Sequence, residues 1–149
     1  MIKVTRLRIG DDLSAAEELL RRFFAEEGFD GAVASISENT RRLSALDICG
    51  LFLAEENSAA LGVATVSLDF GIEFGWSGEI GDIYVLPEHR GKGVSRLLVE
   101  AATALAIAKG STALQVTVTA NAAAQHDLRT YYGKLGFTDE GRVILAKAL

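Results

Sequence analysis

The chain has 149 residues, 49% of them hydrophobic, and a net charge of −5 at pH 7. That is the bulk of one globular domain, over residues 1–149, with a sizeable core, and its acidity argues against the basic face that nucleic-acid binders need. A lone cysteine, Cys49, excludes an intrachain disulfide, and the longest apolar stretch, residues 59–68, is broken by Asp69 and too short to cross a bilayer.

Residues 2–7 alternate and predict an edge or near-edge strand. Met1 leads straight into it without an export signal, which predicts a cytoplasmic protein without membrane contact. A turn at Gly10-Asp11-Asp12 opens an amphipathic helix over residues 13–27, with Leu13, Ala16, Leu19, Leu20, Phe23 and Phe24 as its apolar stripe and Gly28 as its stop. Residues 28–32 read as a loop, and Ser37 as the cap of a second helix to Leu46. Residues 50–55 and 60–68 are the strands of a hairpin that turns at Glu56-Asn57-Ser58. Residues 71–77 read as a loop, in which Trp76 is either a lid over a groove or a plug at the strand end.

Residues 79–85, Glu-Ile-Gly-Asp-Ile-Tyr-Val, have the composition of a strand, which Pro87 stops because it has no N–H to donate. Arg90-Gly91-Lys92-Gly93 and Val94 then open a helix over residues 95–109, apolar nearly all round and so expected to be buried on more than one side, with Gly110 as its stop. A strand, a glycine-bearing turn and a helix start aim several backbone amides, with the positive end of the helix dipole, into one small space suited to a phosphate. Glycines let a ligand approach the backbone, and Arg90 and Lys92 add charge. The dinucleotide fingerprint fails because Arg96 stands where its third glycine belongs, and the P-loop fails because Leu86 and Gly93 occupy its first glycine and its Ser/Thr. A glycine-rich connection with exposed basic residues and no ligand is the alternative. Residues 112–119 predict a further strand, residues 122–135 a long helix closed by Gly136, and residues 137–140 and 142–148 two short strands. The strand–helix–strand unit implies parallel neighbours, and the hairpin before it makes the sheet mixed.

The stretch Val85-x-Pro87-x-x-Arg90-Gly91-Lys92-Gly93-Val94-Ser95 resembles motif A of the GNAT N-acetyltransferase superfamily, Arg/Gln-x-x-Gly-x-Gly/Ala, with Arg90, Gly93 and Ser95 in its places. Ser95 departs from the family's Gly or Ala. Tyr132-Gly133-Lys134-Leu135-Gly136-Phe137 resembles the Tyr-x-x-x-Gly-Phe ending of motif B, and the resemblance covers most of the chain, least closely before residue 48. It implies an α/β (α+β) GNAT-like domain: a mixed, mostly antiparallel central sheet with helices on both faces. A V-shaped splay between its two parallel central strands, here at residues 83–85 and 117–119, would hold the pantetheine arm. It implies acetyl-CoA as co-substrate and no metal, with contacts from Ile83, Tyr84, Val85, Arg90, Gly91, Lys92, Gly93, Val94, Ser95 and Tyr132. The family often places Asn seven residues before this tyrosine; Gln125 holds that place and Asn121 lies four residues earlier, so the arm contact falls to either. The first two helices and their loop would form much of an acceptor pocket, with Phe23, Phe24, Glu26, Glu27, Phe29 and Asp30 as candidate lining. A homodimer is an assembly the resemblance admits.

Acetyl transfer to an amine needs a base, oxyanion stabilisation and a proton for the departing thiolate. An alkyl amine has a reference pKa of about 10.4, so it arrives charged and needs a carboxylate, directly or through water, to remove its proton. Glu79 and Asp82 are the candidates, and strict alternation places them on opposite faces of their strand. Glu79 lies at the offset from Arg90 where some family members carry a catalytic glutamate, and is preferred narrowly over Asp82. The oxyanion donor would be the backbone N–H of Tyr84 or Val85, and Tyr132 resembles the family's general acid. Three readings compete: acetyl-CoA-dependent transfer to the primary amine of a small molecule (an aminoglycoside, polyamine or amino-acid derivative), transfer to a protein N-terminus or lysine, and a non-catalytic acyl-CoA-binding module. Tyr132 and two candidate carboxylates disfavour the third.

Overall fold

Five strands form one sheet in the order β1 (Lys3–Leu7), β2 (Cys49–Glu56), β3 (Ala59–Gly71), β4 (Gly75–Val85) and β5 (Ala113–Val116). The first four run antiparallel to their neighbours and β5 pairs parallel with β4. This is the computed structural model of residues 1–149, and contacts along the chain divide it into two units, Met1–Thr117 and Val118–Leu149. No helix is long and apolar enough to cross a membrane.

In the first unit the β2–β3 hairpin turns through Asn57 and Ser58, both at positive φ (52° and 65°), the geometry that matches the right-handed twist of the flanking strands. The β3–β4 hairpin is longer than expected. Its ladder runs out to Gly71 opposite Gly75, so most of residues 71–77 is strand and not loop. The cause is the Phe70–Trp76 cross-strand pair, whose rings meet edge to face at 5.3 Å. Trp76 is therefore a partner within the ladder.

Helices cover both faces. On one face α1 (Ser14–Glu27) and α2 (Ile36–Ala45) bury Ala16, Leu19, Leu20 and Ile36 against Leu51, Leu53, Val63 and Tyr84. A short 3-10 turn, Asp30–Ser35, replaces the expected loop between them. Ser37 does not cap α2: Ser35 occupies that place, and the Ser37 hydroxyl donates to Glu17 at 2.9 Å. On the other face α3 (Val94–Ala108) lies close to the strands because glycine stands under it. A Cβ on Gly62 would meet the Tyr84 carbonyl at 2.9 Å and Leu98 at 3.1 Å. Only one stripe of α3 is buried (Val94, Leu98, Val99, Ala102, Ala106), and Ile107 on its far side is 67% exposed. The expectation of burial on several sides fails because alanines make much of that apolar character and cost little when exposed.

β5 ends three residues earlier than expected, at Val116, because Thr117 turns its hydroxyl to Glu79 and Thr119 caps the next helix. In the second unit the single helix expected over residues 122–135 is two, α4 (Ala120–Gln125) and α5 (Leu128–Lys134). Thr119 accepts from the Ala122 amide at 3.1 Å and Asp127 from the Thr130 amide at 3.3 Å. Two capping side chains so close together favour two helix starts over one continuous helix. The strands expected at 137–140 and 142–148 do not form; Asp139 instead pairs with Arg129 at 2.8 Å and accepts from the Gly141 amide at 2.8 Å. β5 consequently takes the edge of the sheet.

Candidate active site

The phosphate-cradle stretch is built as its composition demands. β4 delivers Val85, a 3-10 turn over Pro87–His89 follows, and Gly91 and Gly93 adopt left-handed φ of 74° and 84° before α3 begins. A Cβ on either glycine would meet nothing within 4 Å. Glycine is thus required here by backbone conformation, and the surface above it is open to approach. No side chain caps α3, whose ladder closes first from the Leu97 amide to the Gly93 carbonyl. Amides before that point aim out of the helix end. Lys92 folds back onto the Glu88 carbonyl at 2.9 Å. The loop therefore offers oriented amides, a dipole and two cations, which fits a pyrophosphate.

Arg90 is held from three sides. Its Nε donates to the Val85 carbonyl at 2.9 Å, its Nη2 pairs with Glu26 of α1 at 3.1 Å, and its guanidinium lies 5.5 Å from the centre of the Tyr84 ring. Glu26 also accepts from the Tyr84 hydroxyl at 2.8 Å. Burial, and next the bond to Glu26, push the Tyr84 phenol up to about 12. Glu26 thus ties the loop to α1, a link that spacing along the chain does not reveal.

The β4–β5 ladder ends at Ile80 opposite Val116, while β4 continues to Val85. Residues 81–85 therefore have no β5 partner. The Leu86 amide donates to Leu61 of β3 at 2.9 Å. Period-two alternation turns the Tyr84 amide the same way and leaves those of Ile83 and Val85 on the open side. Of the Tyr84 and Val85 amides, Val85's is the one on the open side.

The two candidate carboxylates prove to share a face. Thr65 pairs with Asp82 and Ser67 with Glu79, while Val66 pairs with Ile80, so Gly81 is the extra residue of a β-bulge. A bulge shifts the alternation by one position. Strict alternation had placed Glu79 and Asp82 on opposite faces; the bulge brings both onto the α1/α2 side with Tyr84. Their environments differ. Glu79 accepts from Thr117 at 3.2 Å and Gln115 at 3.5 Å. Asp82 is half-buried, accepts from the Thr65 hydroxyl at 2.6 Å, and is held above the usual carboxylate range by burial, partly offset by that bond.

Asp82, Thr65 and Leu51 form the floor of a cavity of about 320 Å³. Phe24 of α1, Ser35 of the 3-10 turn, and Asn39, Thr40 and Leu43 of α2 complete its walls. Of the aromatic and acidic candidates on α1 and the following loop, Phe24 alone reaches it; Phe23 stacks on Tyr84 at 5.6 Å and Phe29 is exposed. Thr65, Asn39 and Thr40 carry no local motif, and only the fold gathers them.

In the second unit Tyr132 is buried against Tyr131 and Phe137, with ring centres 5.1 and 5.6 Å away. Burial, and then Tyr131, push its phenol up to about 12. Gln125 donates to Asn121 at 3.4 Å, so the two candidates for the arm contact are neighbours on α4.

A mixed sheet opened along one strand, an uncapped helix behind two left-handed glycines, and a desolvated carboxylate in a cavity suit an acyl-transferase class of site. The sequence profile of the acetyltransferase (GNAT) family matches residues 13–137, and the chain belongs to that family. No curated protein matches the chain. Among solved structures it is similar to an integron cassette protein from the mobile metagenome of Cole Harbour Salt Marsh (26% identity, TM-score 0.79, 98% of this chain and 90% of that one). It is also similar to AAC(6')-Iy in complex with a bisubstrate analogue (20% identity, TM-score 0.79, 100% and 99%). A third is the "predicted acetyltransferase with acetyl-CoA" from Clostridium acetobutylicum (17% identity, TM-score 0.80, 99% and 96%). The last two, at that identity, carry the fold.

Proposed function

We propose that this acetyltransferase moves the acetyl group of acetyl-CoA to the primary amine of a small molecule held in the Asp82 cavity. The carrying observation is Asp82 itself: a desolvated carboxylate on a cavity floor, three residues along β4 from the Val85 amide. Bound at the loop of residues 90–95, acetyl-CoA would supply an activated thioester. The loop's amides, with Arg90 and Lys92, hold the phosphates. The Val85 amide takes the charge that develops on the acyl oxygen.

Asp82 pairs with the acceptor ammonium and accepts its proton; a pKa raised by burial brings this base closer to the working pH, where proton transfer is efficient. This reading moves the base from Glu79 to Asp82. Glu79, on the same face and bonded to Gln115 and Thr117, is left with a share in guiding the ammonium. Tyr132, in the general-acid place of motif B, keeps its proton through neutral pH. The test is thiol release from acetyl-CoA against a panel of primary amines. Amine-dependent release supports the proposal; a protein that binds acetyl-CoA but acetylates no amine of the panel would be a binding module, and transfer confined to peptides would move the acceptor to protein.

A further inference from the structure

We infer that the acceptor bound in the Asp82 cavity carries one cationic centre on a small neutral, hydroxyl-bearing body and is not a polycation. The inference rests on the acceptor reading above and narrows it to a substrate class. Asp82 is the one charged side chain lining the cavity. Ser35, Asn39, Thr40 and Thr65 give neutral polar lining, and Phe24, Leu43 and Leu51 give apolar surface. A second ammonium seated deep in the cavity, beside buried Thr40 and Thr65, would face hydroxyls with no counter-charge, a costly arrangement. The nearby carboxylates on α1 and β4 are not part of that lining: Glu26 is ion-paired to Arg90 and bonded to Tyr84, and Glu79 lies outside the cavity wall.

The neutral groups also favour a hydroxyl. Buried Thr40 donates its proton to the Ile36 carbonyl at 2.5 Å, and buried Thr65 donates its own to Asp82. Each hydroxyl therefore presents only lone pairs to the cavity, which call for a ligand donor, and an O–H supplies one without bringing a second unpaired charge into the site. A volume of about 320 Å³ lies at the small end of ligand sites, roughly 300–1,000 Å³. One ring or a short chain fills it.

The test compares matched pairs: aminobutanol against diaminobutane, and glucosamine against the aminoglycoside sisomicin. The single-amine member of each pair should have a kcat/KM higher by about tenfold or more, as expected when a second charge goes unpaired. Asn39→Asp adds a second carboxylate at the wall, and should shift the preference towards diaminobutane by about tenfold while acetyl-CoA affinity stays unchanged. A wild-type preference for the polycations, or a folded Asn39→Asp protein with no shift, overturns the inference. Binding of the same compounds, measured without acetyl-CoA, separates the two levels. Single-amine binding that is lost in Asp82→Asn, with no acetyl transfer, would defeat the catalytic reading and leave the charge selection standing.

Discussion

Asp82→Asn keeps the shape of the side chain and removes both the base and the anion that holds the substrate. Loss of a positioned general base lowers turnover by about 10²–10⁴-fold, and nothing else on the cavity floor can replace it, since Thr65 and Leu51 are neutral. The pH dependence carries the sharper test. Burial raises the Asp82 pKa in the folded protein, so kcat/KM of the wild type should rise with pH along an acid limb above the ordinary carboxylate value of about 3.9. Thr65→Val removes the 2.6 Å bond that opposes this shift. A hydrogen bond to a charged group is worth about 1.5–3 kcal/mol, so the limb should move up by about one to two pH units. Stability supplies an independent sign. A raised folded pKa contributes stability below the unfolded value and loses it as pH rises through the folded value. Ionised Asp82 is thus a cost at neutral pH, and the melting temperature of Asp82→Asn relative to wild type should increase from acid to neutral pH. Steady-state pH–rate profiles and thermal melts of wild type, Asp82→Asn, Thr65→Val and Glu79→Gln decide the matter. Near-normal turnover in Asp82→Asn, with the large deficit in Glu79→Gln, would refute the assignment of the base.

Glu26→Gln should leave the fold intact and change acetyl-CoA affinity by a few-fold, because it frees Arg90 from an exposed ion pair worth about 1 kcal/mol or less; calorimetry in low and high salt checks it, and an unchanged affinity and salt response would unlink Glu26 from the loop. Tyr132→Phe should cut turnover by about a hundredfold while leaving acetyl-CoA affinity nearly intact, and loss in Tyr131→Phe instead would shift the acid by one residue. Phenolate absorbance from Tyr84 and Tyr132 should emerge only towards pH 12, and its disappearance from that range in a Tyr84→Phe, Tyr132→Phe double variant assigns it.

The strand–turn–helix geometry of residues 85–94 was legible because its requirements are local. Positive φ at Gly91 and Gly93, a proline stop and a helix start are written in adjacent residues. The hairpin at Asn57 and Ser58 was legible for the same reason. The face of the carboxylates was not, although Gly81 within a strand pattern is itself a bulge signal; alternation without the bulge separates Glu79 from Asp82. The break in residues 122–135 was not read, because Thr119 and Asp127 act as caps only through bonds to the Ala122 and Thr130 amides, and the run around them is helix-compatible throughout. The Glu26–Arg90 pair joins residues 64 apart in number, the cavity lining runs from Phe24 to Asp82, and tertiary contacts of this kind leave no periodic trace.

The central claim is that the backbone of residues 90–95 receives acetyl-CoA. Gly93 has φ 84° and open space where a Cβ would stand, so Gly93→Val both strains the turn and blocks approach to the amides. Isothermal titration of acetyl-CoA into wild type and into folded Gly93→Val tests it most directly. Saturable one-site binding to wild type, abolished by the substitution, is the predicted result; equal affinity in the two proteins would contradict it.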